Sequence, residues 1–283
     1  MGVEVPESSS FSTNNRSDSA RSGASDAPEA IRIRDRAVEF LRSAAPVALG
    51  HFRQVLDVDH KADQSPVTRA DRATERAIRD SIAAEFPEDG IFGEEFGRVA
   101  GDSAALWIID PIDGTRSFIS GHPLFGMLLA RMAAGVVQAS AVALPAVNEF
   151  YAAARGGGAV LNGQPIAVSS CTDPMAATIY VNEGERLWRT EPDLLSRLMQ
   201  LGQNRRFSYD CAPYGLLASG HVDVVVDCGL EPYDYLPVSL LVEEAGGAIT
   251  DWQGQPLTLE SDGRVVAAAT PALHAALLQQ VFS

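Results

Sequence analysis

The residues best suited to chemistry form one hexapeptide, Asp110-Pro111-Ile112-Asp113-Gly114-Thr115. The apolar run Leu106-Trp107-Ile108-Ile109 leads into it and reads as a short buried strand ending at Asp110. That strand would deliver two carboxylates to one place. Burying both is unfavourable unless cations offset them. Hard divalent ions with oxygen ligands do so, and Mg²⁺ keeps waters that a substrate can replace. Gly114-Thr115 would open a following helix, whose free amides suit a phosphate. A polar Asp-x-x-Asp-Gly turn explains the hexapeptide equally well when it is taken alone.

Two further acidic pieces matter by their order. Gly93-Glu94-Glu95 follows a helix that Pro87 ends; taken singly it is a solvated turn. Tyr233-Asp234-Tyr235 precedes an apolar helix, Leu236–Val242, that runs out in Glu243-Glu244-Ala245-Gly246-Gly247. Asp234 is expected to cap that helix and the glycine pair to stop it.

The elements that must position these residues mix helix and strand throughout. From Pro28 the apolar spacing is helical, and a second helix is expected over about 71–86, with Asp71 in its first turn. Strands follow at about 124–132, 136–144 and 148–154 as an antiparallel meander. Beyond them we expect strands near 178–181, 205–209, 222–226 and 248–251. These alternate with helices near 191–201, 212–219 and 235–245. The expected class is α/β (α+β), a layered sandwich. Residues 1–28 are polar and short of aliphatics and are expected to be a disordered tail. Residues 29–283 would form one domain of two packed halves, about 29–155 and 156–283.

Composition limits the partners. The 283 residues carry 22 basic and 37 acidic side chains, a net charge of −15. That argues against nucleic acid and anionic membranes and suits a chain that collects cations. Three scattered cysteines give no disulfide framework and point to the cytoplasm. Apolar runs are strand-sized, too short to span a bilayer.

Glu94-Glu95, then Asp110–Thr115, then Tyr233-Asp234 with its Glu-Ala-Gly-Gly helix end closely resemble the inositol monophosphatase superfamily. The segment Lys61–Asp71, with Val67-Thr68-x-x-Asp71, agrees. The resemblance spans about residues 30–270. It implies an αβαβα sandwich and a Mg²⁺-dependent, lithium-sensitive phosphatase of small molecules, with two to three ions per subunit and Mn²⁺ as an alternative. Glu94, Asp110 and the Ile112 carbonyl would hold the first ion. Asp110, Asp113 and Asp234 would hold the second, and Glu94 would help with a third. Thr115 and Asp71 would orient and deprotonate the attacking water, making Glu94, Thr115 and Asp71 the catalytic set. The amides of Gly114 and Thr115 would take the phosphate. Glu95 would support the metal shell through a water, and Lys61 matches a family lysine near the metals. A homodimer is expected from the same likeness.

Residues 116–123 depart from the inositol-phosphatase pattern. Arg116-Ser117-Phe118-Ile119-Ser120-Gly121 resembles the histidinol-phosphate phosphatase branch, as do Asp210-Cys211-Ala212-Pro213-Tyr214 and Gly220-His221-Val222-Asp223. This likeness implies hydrolysis of L-histidinol phosphate, with substrate contacts at Gly114, Thr115, Asp210, Asp227 and Asp234. A carboxylate at 210 would pair with the substrate's ammonium and imidazole. Inositol-1-phosphate, fructose-1,6-bisphosphate and adenosine 3′,5′-bisphosphate are the competing substrates, and a non-catalytic binder of phosphorylated ligands is the competing class. His122 and His221 are expected in turns or packing, Gly156-Gly157-Gly158 in a hairpin turn, and Arg205-Arg206 on the surface.

Overall fold

The computed structural model describes residues 23–54, 58–60 and 66–282. In chain order the elements are α1 (Gly23–His51), β1 (Val58–His60), β2 (Pro66–Thr68), α2 (Arg69–Glu85), β3 (Gly90–Gly93) and β4 (Gly97–Val99). Next come β5 (Ala105–Asp113), α3 (Thr115–Ile119), β6 (Gly126–Ala133), β7 (Val136–Leu144), β8 (Glu149–Ala154), β9 (Gly158–Leu161) and β10 (Gln164–Ile166). The remainder is β11 (Thr178–Asn182), α4 (Gly184–Thr190), α5 (Pro192–Leu198), β12 (Asn204–Ser208), α6 (Ala212–Ala218), β13 (Val224–Cys228), α7 (Pro232–Glu244), β14 (Ala248–Thr250), β15 (Arg264–Ala268) and α8 (Pro271–Leu277).

Two sheets organise these elements into five layers, as expected. The eight-stranded sheet has the order β10-β9-β8-β7-β6-β5-β3-β4, and the five-stranded sheet β12-β11-β13-β15-β14. Strand alternation splits the first sheet's side chains between two cores. Trp107, Ile109, Met127 and Leu129 face α1 and α2. Leu106, Ile108, Leu128 and Ala130 face α6 and α7. The middle layer, α6 and α7, also meets Val225, Val265 and Ala267 of the second sheet. The other face of that sheet carries Val224, Val226 and Val266 against Leu187, Leu194 and Leu273 of α4, α5 and α8. A helix between two sheets must be apolar nearly all round, and every α7 residue from Tyr235 to Val242 is buried.

Several boundaries differ from expectation for physical reasons. The tail expected through residue 28 meets a helix that already runs at Gly23; residues 1–22 lie outside the described residues. The strand expected to end at Asp110 continues to Asp113. Its pairing with β6 steps from Asp110↔Leu128 to Asp113↔Gly126. Pro111 has no amide to offer that ladder, and the Ile112 amide bonds the Asp110 side chain at 3.0 Å. The single helix expected over 191–201 is two, because Pro192 bars Glu191 from the helical region. The first sheet runs past the expected seam at 155 to Ile166, since Gly156-Gly157-Gly158 turns β9 back onto β8.

Candidate active site

The acidic centre forms where β5 ends against the first turn of α7. Asp234 is not the helix cap; Glu231 is, and Asp234 sits three residues on, accepting the Glu231 amide at 2.8 Å. Pro232 starts the helix earlier than its apolar run indicates. Asp110, Asp113 and Asp234 each present an oxygen, and these three atoms lie within 4.8 Å of one another. Glu94, on the β3–β4 turn, opens onto the same cleft. Burial pushes Asp110 well above the ordinary carboxylate range, and the charges of Glu94, Asp113 and Asp234 add to the push. Burial likewise raises Asp113, with Asp210 and Asp234 adding. Asp234 is pushed up to about 8 by burial first, opposed by the Glu231 amide and reinforced by Glu94. Converging anionic oxygens in a buried place fit hard divalent cations, which offset the mutual repulsion. Among the described residues these acids are therefore the ones able to hold metal.

The turn bearing Glu94 is held by a residue that the sequence pattern did not single out. Glu75 of α2 is fully buried, and its carboxylate accepts the amides of Glu95 (2.7 Å) and Phe96 (3.3 Å). Arg79 pairs with it at 2.7 Å and donates onward to the Gly97 carbonyl. Glu75 lies four residues after Asp71 and three before Ile78. A charged residue on the buried stripe was the available signal. The side chain of Glu95 is buried, 4.0 Å from Arg72.

Thr115 and Asp71 meet across β5 and α2. The Thr115 hydroxyl donates to Asp71 Oδ1 at 3.2 Å. The other oxygen, Oδ2, takes the Thr68 amide (2.8 Å) and hydroxyl (2.6 Å), so one carboxylate caps α2 and holds Thr115. Gly114 links β5 to α3 with φ 83°, a left-handed backbone. A Cβ there would also fall 2.3 Å from the Asp210 carboxyl carbon, so glycine is required twice over.

Substrate-side groups gather at the carboxyl ends of β11, β12 and β13, where parallel strands commonly place ligands. Asp210 follows β12 and lines both the metal-side cleft, about 500 Å³, and an adjoining cavity of about 340 Å³. Burial pushes it up to about 6, against a bond from Ser117. Asp227, expected against the leaving group, has its oxygens engaged. Oδ2 accepts from Asn182 (2.7 Å) and Tyr214 (3.1 Å), and Oδ1 from the Cys228 amide. It forms part of the cleft floor and is pushed up to about 7 by burial. Asn182, Tyr214 and Ser117 were not foreseen in these positions; the polar residue closing the β11 apolar run was the signal for Asn182.

Other expectations resolve simply. Arg116 and Arg186 edge the cleft. His122 lines the adjoining cavity rather than serving only in a turn. Arg205 donates to the carbonyls of Leu201 and Gly202, and Arg206 is exposed on β12. Lys61 lies outside the described residues. Among the described residues no helix is long and apolar enough to cross a membrane.

The pattern of the inositol monophosphatase family matches residues 31–282. The chain belongs to that family. A histidinol-phosphatase of Chlorobaculum parvum is 41% identical over 236 residues, 82% of this chain and 90% of that protein. The histidinol-phosphatase of Mycobacterium tuberculosis is 35% identical over 233 residues, 80% and 86% of the two chains. The solved structure of an inositol monophosphatase from Zymomonas mobilis superposes with a TM-score of 0.78 at 35% identity, covering 89% of this chain and 98% of the other. The family's enzymes are metal-dependent phosphatases, and the acidic centre of this chain is of the kind they require.

Proposed function

We propose that this chain hydrolyses L-histidinol phosphate to L-histidinol and phosphate. Glu94, Asp110, the Ile112 carbonyl, Asp113 and Asp234 would hold two to three Mg²⁺ ions, with Mn²⁺ as an alternative. Bound there, the ions supply the positive charge that the phosphoryl group and leaving oxygen need.

The chain's own residues do the rest. The Gly114 and Thr115 amides orient the phosphate. Thr115 Oγ1 accepts a hydrogen bond from the attacking water, because its own proton is committed to Asp71. Asp71 takes that proton through Thr115 as the new P–O bond forms and the ester bond breaks, and the departing alkoxide takes a proton from solvent water. Thr68 keeps Asp71 in place.

One observation carries the choice of substrate. The Asp210 carboxylate packs directly over Gly114, beside the amides that face the phosphate. In histidinol phosphate the ammonium lies two carbons from the ester oxygen, so its partner must stand next to the phosphate loop. Asp210 stands there, and a ring of hydroxyls gains no ion pair from it. The names of the Chlorobaculum and Mycobacterium relatives support the same substrate. The likeness to the Zymomonas structure favours inositol-1-phosphate as the second reading.

Phosphate release with Mg²⁺ from histidinol phosphate, inositol-1-phosphate, fructose-1,6-bisphosphate and adenosine 3′,5′-bisphosphate tests the proposal. A preference for histidinol phosphate of about a hundredfold in kcat/KM, roughly 2.7 kcal/mol, is expected. A preference for inositol-1-phosphate overturns the substrate while keeping the phosphatase. Absence of turnover on all four, with and without Mg²⁺, would favour a phosphate-ligand binder. A homodimer and a cytoplasmic setting belong to the same proposal.

A further inference from the structure

Asp210 is placed by contacts from two separate segments. Its backbone is left-handed, φ 61°, a conformation that aspartate tolerates better than most residues. Ser117, in α3 just after the phosphate loop, donates its hydroxyl to Asp210 Oδ2 at 2.5 Å. Asn182, the last residue of β11, donates Nδ2 to the Asp210 carbonyl at 3.1 Å and to Asp227 Oδ2 at 2.7 Å. Asn182 is fully buried, and Asp227 is fixed in turn by the Tyr214 hydroxyl. The side chain of Asp210 is thus pinned from α3 and its backbone from β11.

We propose that Ser117 and Asn182 are positioning residues that set the enzyme's preference for a cationic leaving group, acting through Asp210. The inference rests on the substrate reading above. Ser117 takes one carboxylate oxygen and leaves the other to the substrate. Asn182 holds the backbone that aims it. A carboxylate ordered before the substrate arrives gives up little conformational freedom on pairing with an ammonium. Without Ser117 the carboxylate rotates; without Asn182 the left-handed turn can relax and withdraw it. Neither residue touches the phosphate or the attacking water, so the loss falls on discrimination between leaving groups.

The test compares kcat/KM for histidinol phosphate and inositol-1-phosphate in the full-length enzyme with saturating Mg²⁺. Ser117→Ala is expected to lower the ratio of the two about tenfold, mainly through KM for histidinol phosphate. Ser117→Thr, which keeps the hydroxyl, is expected to restore it. Asp210→Asn should lower the ratio further, and adding Ser117→Ala to it should change nothing more. Asn182→Asp replaces the donor at constant shape and should lower the ratio as Ser117→Ala does. Because that site is buried, Ser117→Ala decides the matter if Asn182→Asp does not fold. A merely structural role would depress both substrates equally, and that result overturns the proposal. If Asp210→Asn abolishes the preference while Ser117→Ala leaves the ratio intact, positioning fails and the substrate reading stands. If Asp210→Asn leaves the preference unchanged, the substrate reading fails and this inference with it.

Discussion

The two sides of the cleft are built differently. On the metal side, one strand end supplies Asp110 and Asp113, and single turns of chain supply Glu94 and Asp234. These acids crowd together with their charges opposed only in part by hydrogen bonds. On the substrate side, Asp210, Asp227 and Asn182 come from the ends of three strands and are joined by directed bonds, with the buried Asn182 Oδ1 left without a partner among the described residues. The first arrangement is repulsive until protons or cations enter. The second is self-supporting as it stands. The metal side therefore stores electrostatic strain for a ligand to relieve, while the substrate side is ordered before any ligand binds.

The sharpest way to break this contrast is Asp113→Asn. The neutral amide can still accept the Cys211 amide bond that Asp113 receives, so the fold should survive. Losing one of the proposed metal ligands should remove several kcal/mol of transition-state stabilisation, so kcat/KM should fall about 10³-fold. Thermal unfolding in EDTA should show equal or greater stability than wild type, because one buried like charge is gone. An active Asp113→Asn enzyme would sink the metal assignment.

The same contrast explains what the sequence made legible. Asp110–Thr115 is contiguous, so its strand-then-turn logic can be read without knowing the fold. The layered class follows from the alternation of elements. The substrate side is different, since Asn182 and Asp210 are 28 residues apart in sequence and meet through the parallel pairing of β11 with β12, while Ser117 reaches Asp210 from α3, 93 residues earlier. No local pattern announces that meeting. Strand-end corrections have the same origin. Pro111 was visible, but the register step that lets β5 reach Asp113 depends on β6. Glu75 was hidden because its partners, the Glu95 and Phe96 amides, arrive from a turn twenty residues later.

Glu75→Gln sharpens the comparison at intermediate cost. The amide can still accept one backbone bond but no longer balances Arg79, and breaking a buried pair costs about 3–5 kcal/mol. If the pair also places Glu94, metal affinity should drop about tenfold, as it does when groups orienting a ligand are removed. Mn²⁺ binding measured directly, beside the Mg²⁺ dependence of turnover, checks this. Lower stability with unchanged metal binding would mean that the clamp serves the fold alone.

The last test separates the two sides by proton. Asp234 is lifted to about 8, Asp227 to about 7 and Asp210 to about 6. An unfolded aspartate releases its proton near 3.9. Between that pH and those values the folded metal-free chain holds protons that the unfolded chain has lost. Stability is thus fully present below about pH 4 and drains away as pH rises through 6, 7 and 8. In EDTA the melting temperature should fall steadily over this range, by roughly 2–4 °C for each kcal/mol lost. Saturating Mg²⁺ should erase Asp234's share, the part of the fall that extends to about 8, because cations replace the proton on the metal side. It should leave the fall between about 4 and 7, which belongs to Asp210 up to about 6 and to Asp227 up to about 7. If Mg²⁺ instead flattened the whole profile, the substrate-side carboxylates would be coupled to the metal centre, and the division between the two sides would have to be abandoned.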